Sequence, residues 1–362
     1  MNDESIYIVT DQGPATGIGT YAGALQSLLR GTFPNLKLLS LCYLPGPEQP
    51  RWERLPGLRV ARHSYEIPAV LQHNYHQFRE VVAPDSPIHF CGVSYRLVTS
   101  YPRSVVTVHD HYPRTPALVN LTNPLVLLRD MSALMQFIEL PRRVRSARAR
   151  VVPTQYVRDC LHRGCSLSSI AIHHWIDSSR FQVRDKYRAR EALGLPADEK
   201  LVLNVSTGSS NKNYALLGRL SSRLPQGYRL VLGGGREAPR VLEGIRLPRL
   251  SDDLYPLVFN ACDVYIHTST QEGFGLPLIE AIASGLPIVS LRTQVAMEVL
   301  GDAAQFVEPT DSTHRWIDCI EGVADGTMRS EIMARAESRV SHFGLERARS
   351  AYVALYREAF GL

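Results

Sequence analysis

The feature that most constrains this chain is an alternation that runs nearly end to end. Short β-rich runs give way to stretches of helical spacing, and the pattern starts twice. "SIYIVT" precedes "GTYAGALQSLLRGTF"; "LKLLSLCYL", "PIHFCG" and "SVVTVHD" follow as buried strands. "RARVVPTQYVRDCLHRG" reads as strand, turn and helix, with Thr154 as the N-cap. "IAIHHWI" is predicted as a further strand, and the polar "DSSRFQVRDKYRAR" as the region between domains. The alternation then restarts with "KLVLNVS", "NYALLGRLSSRL", "YRLVLGGG", "SDDLYPLVFNAC", "DVYIHTS", "PLIEAIAS" and "LPIVSL". Such a pattern packs parallel sheets between helices. Two runs predict an α/β chain with two doubly wound domains, at 1–178 and 179–342. In the tail, Ala348, Tyr352, Leu355, Tyr356 and Ala359 fall on one helical face. A helix over 343–362 is expected to cross back to the first domain.

Length agrees, since 362 residues exceed one ordinary core. Apolar residues make up 44% and charged residues 21%, as in a soluble globular chain. No apolar stretch reaches the roughly 18 residues of a membrane span. The start, "MNDESIYIVTDQG", lacks the basic-then-apolar order of a secretory leader. The six cysteines form neither a CxxC pair nor a zinc spacing, which suits reduced cytosolic thiols. A net charge of +5 helps attract phosphorylated ligands or an anionic membrane surface. It is too weak to argue for nucleic acid as a partner, and the aromatic and basic platform of a single-strand binder is also missing.

Glu272 and Glu280 bracket "EGFGLPLIE", just past the strand-like "DVYIHTS". In an open parallel sheet, ligands bind at the carboxyl ends of strands. Glycines let the backbone approach a ligand closely, and a helix N-terminus favours an anion, most naturally phosphate. Gly273, Phe274, Gly275 and Leu276 form that approach. Glu280, placed in the first helical turn, has the acceptor capacity to hold two adjacent hydroxyls, as a ribose presents. Its competing reading is a carboxylate that merely complements the helix dipole.

"HTSTQEGFGLPLIEAIASGLPIVS" resembles the signature of retaining glycosyltransferases of the GT-B fold, family 4, whose E-x7-E motif has this spacing. "SDDLYPLVFNACDVYIHTS", "EVLGDAAQFVEP" and the tail "FGLERARSAYVALYREAF" resemble the same family, closely in the second half and loosely in the first. The resemblance implies two Rossmann-like domains facing a cleft. It implies that Glu272 contacts hydroxyls of the transferred sugar, that the amides at 274–276 hold the donor phosphate, and that Glu280 holds the ribose. It also makes Lys212, in "STGSSNKN", the cation that neutralises the leaving diphosphate; alone, Lys212 reads as a solvated lysine. The family has an Arg five or six residues earlier, where this chain has Thr207 and Ser206. A hydroxyl there, or an Arg from elsewhere, is expected to take over. "LGGG" at 232–235 is similar to the family's nucleotide-side glycine turn.

Gly17 and Gly19 mark a strand-to-helix junction. The next Gly is at 23, and no acid ends the following strand, so a dinucleotide fingerprint fails. By resemblance these glycines lie near the donor phosphates, with a structural tight turn as the competitor. His109 and His111 flank Asp110, a poor chelating geometry. The resemblance gives His109 a place near the sugar being transferred. Arg142, Arg143, Arg145, Arg148 and Arg150 read first as a solvated helix face. The sharper alternative is peripheral contact with anionic lipid or a lipid-linked acceptor through Arg142–Arg150.

What the family implies is transfer of a hexose from a nucleotide-diphosphate sugar to a glycan, lipid-linked or small-molecule acceptor. Retention at the anomeric carbon is implied, with no metal or other cofactor. Catalysis is expected from His109, Lys212 and Glu272, in the cytoplasm with or without membrane association. The alternatives are another GT-B enzyme, such as an epimerase or a phosphorylase, and a non-catalytic sugar-nucleotide-binding protein.

Overall fold

The computed structural model describes residues 4–13, 16–41, 52–53, 57–59, 67–110, 139–205, 210–233, 242–326 and 328–362. His111, Ser206, Thr207 and the glycines at 234–235 lie outside them. The chain divides into two compact units, one of Met1–Ile172 with Ala348–Leu362, the other of His173–Arg347. The division thus falls at 172/173 and 347/348, against sequence-based boundaries of 178/179 and 342/343.

In the first unit, seven parallel strands lie in the order β3-β2-β1-β4-β5-β6-β7. They are β1 (Ile6–Thr10), β2 (Leu36–Ser40), β3 (Trp52–Glu53), β4 (Ile88–Cys91), β5 (Ser104–Thr107), β6 (Ala149–Val152) and β7 (Ile170–Ala171). Strands β4 and β5 are buried along their whole length, as expected of strands covered on both faces. The order reverses between β1 and β4, which makes their carboxyl ends the switch point of the sheet. There Thr16 caps the helix Gly17–Leu29, its hydroxyl accepting from the Gly19 N–H at 3.0 Å. Thr154 caps Gln155–Cys165 in the same way, through the Val157 N–H. The last helix, Leu345–Phe360, buries Ala348, Tyr352, Leu355, Tyr356 and Ala359. Each large side chain among these contributes about 1.5–3 kcal/mol by leaving water.

The expected strand at 170–176 is mostly absent. Only Ile170–Ala171 pair with β6, and Ile176 forms an isolated bridge to Gly344. The histidines between them interrupt the ladder because their rings serve an aromatic cluster. His174 packs on Phe274 at 4.9 Å between centroids, and His173 on Phe343 at 5.4 Å.

The second unit repeats the plan with six parallel strands in the order β10-β9-β8-β11-β12-β13. These are β8 (Lys200–Val205), β9 (Tyr228–Gly233), β10 (Ile245–Arg246), β11 (Val264–His267), β12 (Ile288–Leu291) and β13 (Gln305–Val307). Its switch point lies between β8 and β11. The segment expected to link the domains is instead built into this unit. Helix Lys186–Leu193 is tied down by Arg190, whose side chain is 4% exposed and pairs with Asp263 at 2.7 Å. Arg190 also donates to the carbonyls of Ala261 and Ala197, and Asp263 accepts from the Leu201 N–H and Lys186. A buried charge pair persists only when its remaining donors and acceptors are met in this way.

Candidate active site

The residues singled out around 212 and 272 meet at the carboxyl ends of β8 and β11, the two strands of the switch point. After β8 the chain makes a 3-10 turn, Ser210–Lys212. After β11 an irregular loop leads to Glu272. The two loops are cross-braced. Thr270 N–H donates to the Asn211 carbonyl at 2.9 Å, and the Asn211 side chain donates to the Gln271 carbonyl at 2.7 Å. Thr268 Oγ1 donates to the Lys212 carbonyl at 2.8 Å. This bracing holds Lys212 Nζ 2.6 Å from Glu272 Oε1, with the two side chains 16% and 14% exposed. Glu272 therefore carries an ammonium partner, which the sequence reading did not foresee.

Beyond Glu272 the backbone turns through Gly275, at φ +83°, into the helix Leu276–Ala283. A Cβ on Gly275 would stand 2.9 Å from Leu278 Cδ1, so both the positive φ and the space call for glycine. No side chain caps this N-terminus, in contrast to Thr16 and Thr154. Pro277 sits in the first turn, where its missing N–H costs nothing. The Phe274 side chain is not part of the binding surface. It is 3% exposed and its ring packs on His174 and Phe343, so it anchors the loop. Leu276 opens the helix, and Gly285 follows its C-cap Ser284 at φ +75°.

Glu280 is the fifth residue of this helix, not a first-turn residue as the sequence suggested. A full turn of helix then lies between it and the N-terminus, and the dipole-complement role weakens. Its Oε2 accepts from the Tyr255 hydroxyl at 2.8 Å. Burial pushes its carboxyl up to about 7, against the lowering effects of the Tyr255 hydrogen bond and the Arg180 charge. Tyr255 and Arg180 were missed. Tyr255 sits in a segment read only as helix, and Arg180 in the stretch taken for a linker. The Arg180 charge reaches both Glu280 and Tyr255.

His267 was missed as well. It ends β11 at 3% exposure, and burial holds its imidazole down to about 4, with Glu272 raising and Lys212 lowering it further along. A histidine at the tip of an otherwise apolar strand was the available signal.

The remaining predicted residues belong to the first unit. Gly17 opens its helix, and a Cβ there would meet nothing within 4 Å. The Gly19 N–H is taken by Thr16 and so is not offered to a ligand. His109 lies two residues past β5, its ring edge-on to Tyr21 with centroids 4.7 Å apart. Burial lowers its imidazole to about 4, so it is neutral at physiological pH. In the arginine cluster, Arg143 pairs with Glu139, and Arg150 donates to the carbonyls of Ser168, Val144, Arg145 and Ala147. Those two are structural, closing a helical run at 139–144; Arg142, Arg145 and Arg148 stay exposed. Among the described residues no helix is long and apolar enough to cross a membrane. None of the described His, Cys, Asp and Glu residues gather in threes to hold a metal.

Comparison with known proteins bears on this geometry. Residues 185–338 match the family model of glycosyl transferases group 1. A D-inositol 3-phosphate glycosyltransferase of Mycobacterium tuberculosis is 28% identical over 210 residues, which cover 52% of this chain and 44% of that protein. The chain thus aligns to less than half the length of that relative. The solved sucrose-phosphate synthase of Thermosynechococcus elongatus superposes with a TM-score of 0.78 at 18% identity, over 99% of each chain. Anabaena HepE, solved in complex with UDP and glucose, gives 0.70 at 15%, over 98% of this chain and 100% of its own. A UDP-forming trehalose-phosphate synthase of Burkholderia vietnamiensis gives 0.68 at 15%, over 99% and 97%. The fold of the chain is therefore GT-B, and the segment that matches the group 1 model contains Lys212, Glu272 and Glu280.

Proposed function

We propose that the chain is a retaining glycosyltransferase of family 4 that moves a hexose from a nucleotide-diphosphate sugar to a carbohydrate, lipid-linked or small-molecule acceptor. The observation that carries this reading is the Lys212–Glu272 pair beside an uncapped helix N-terminus, with Glu280 one helical turn farther on. The E-x7-E spacing and the group 1 match support it. HepE, whose fold is shared, binds UDP and glucose, which favours UDP as the first donor to try.

In this reading the ribose hydroxyls donate to Glu280, and the diphosphate lies against the 274–276 backbone. Glu272 accepts from hydroxyls of the sugar. Lys212 turns part of its charge from Glu272 to the diphosphate as negative charge builds on the leaving oxygen. Such preorganised charge is usually the largest contribution to catalysis. The acceptor oxygen bonds to the anomeric carbon on the face that the diphosphate leaves. The bond from that carbon to the phosphate oxygen breaks, and the acceptor proton passes to the departing phosphate. No strong protein base is needed, which suits a neutral His109 near the sugar as a hydrogen-bonding group.

A thermal-shift panel of UDP-, GDP- and ADP-sugars, followed by mass and NMR analysis of products, tests the reading. A new glycosidic bond with the donor's anomeric configuration is expected, on an acceptor set that includes phosphorylated small molecules. An inverted product, or stoichiometric binding with no turnover, contradicts it. The reaction is also taken to run without a metal: EDTA should leave the rate unchanged, and a loss rescued by a divalent ion would overturn that part.

A further inference from the structure

The first unit holds a buried chain of polar side chains that the reaction above does not use. Tyr352 and Tyr356 lie one turn apart on the last helix, both fully buried. Tyr356 Oη is 2.8 Å from His89 Nδ1. His89 Nε2 is 2.7 Å from Thr107 Oγ1, and Thr107 Oγ1 is 3.0 Å from Tyr21 Oη. Tyr21 Oη is in turn 2.6 Å from Tyr352 Oη. His89 and Thr107 lie on the adjacent strands β4 and β5, two positions out of register, with His89 opposite Val105 and Thr107 opposite Cys91. Tyr21 lies in the first turns of the Gly17–Leu29 helix, and its ring meets His109 edge-on.

Two hydrogen bonds fix the place of the Tyr21 phenol oxygen, and the ring that carries it lies edge-on to His109. A hydrophobic face alone would have put an aromatic near His109 without fixing where along that face the ring sits; the paired hydroxyls fix that. We propose that Tyr21 is a positioning residue for His109, and that Tyr352 locks it there, so that the last helix of the chain sets the orientation of the imidazole past β5. The inference rests on the proposed function only in giving His109 a place near the transferred sugar. The geometry of the lock stands without it.

Tyr352→Phe and Tyr356→Phe make a matched pair. Each removes one buried hydroxyl from the same helix and keeps the ring, so each costs similar stability. The Tyr352 hydroxyl bonds to Tyr21, and the Tyr356 hydroxyl to His89. In full-length protein carrying 13C-labelled histidine, Tyr352→Phe should shift the His109 ring resonances, and Tyr356→Phe should leave them near their wild-type positions. His109→Gln identifies the signals. Unmoved His109 signals in Tyr352→Phe, or equal shifts in both variants, overturn the proposal. Kinetics add a second readout. Tyr352→Phe should lower kcat about tenfold with the donor KM within twofold, and Tyr356→Phe should stay within twofold of wild type in both. Shifted resonances with an unchanged kcat would uphold the lock and count instead against His109 as a group that touches substrate.

Discussion

The two halves of this molecule hold their candidate site side chains by opposite means. In the second unit, Lys212 and Glu272 are brought together by two loops at neighbouring strand ends, and Glu272 and Glu280 lie within nine residues of one another. In the first unit, His109 is backed by Tyr21, and Tyr21 is fixed by Tyr352, 331 positions away in sequence. A site built from adjacent loops can be read as a motif. A site braced by the far end of the chain cannot, because the pairing depends on where the last helix packs. The contrast also predicts where damage is local and where it spreads.

The largest expected effect belongs to the second unit. Lys212→Ala should lower turnover about 10²–10³-fold, the scale of losing a charge-stabilising group. It also strands Glu272, a carboxylate only 14% exposed, so a stability loss of about 1–3 kcal/mol is expected after discounting for partial solvation. Steady-state kinetics beside a urea titration separate the two. A wild-type rate would move the diphosphate clamp elsewhere and remove one side of the comparison.

A smaller effect concerns pH. Burial raises Glu280 to about 7 in the folded protein, from the ordinary 4.5. The sign follows from the proton favouring the native state. This group's contribution to stability is fully present below about 4.5 and is lost as pH rises through about 7. Donor affinity should run the other way, because ribose hydroxyls need the carboxylate as acceptor. It should therefore tighten between pH 6 and 8 and level off above. Tyr255→Phe removes a hydrogen bond that favours the charged form, so it should move the midpoint upward. A flat profile in both proteins would exclude Glu280 from the donor site.

The smallest of these effects is conformational. Gly275→Ala forces a side chain into φ +83° against Leu278 and should cost about 1–3 kcal/mol. It should also weaken donor binding, since the turn carries the amides at 274–276. Calorimetric melting and donor titration on the same sample check both. A change in melting alone would make Gly275 a folding residue and no more.

Much of this architecture was legible. Both sheets follow from the alternation, and the Ala348, Tyr352, Leu355, Tyr356 and Ala359 face from helical spacing. What escaped did so for physical reasons. The 170–176 run has strand-like composition, but its histidines are drawn into packing with Phe274 and Phe343. The polar 177–190 stretch looked like a linker because nothing local shows that Arg190 has a buried Asp263 waiting 73 residues on. At the site, spacing pointed to Glu272 and Glu280, and the family resemblance added Lys212. It did not give Tyr255, Arg180 or His267, which matter through distance and burial alone. Nor did it show that Glu272 starts in an ion pair.

The central claim is that a sugar nucleotide lies along residues 272–280, with its ribose on Glu280. Isothermal titration of the best-bound nucleoside diphosphate from the UDP, GDP and ADP set, into wild type and Glu280→Gln at pH 8, tests it most directly. A charged acceptor lost from a ribose should weaken binding by at least about tenfold, with the melting temperature of the variant no lower than that of wild type. Equal affinity in the two proteins would contradict the claim.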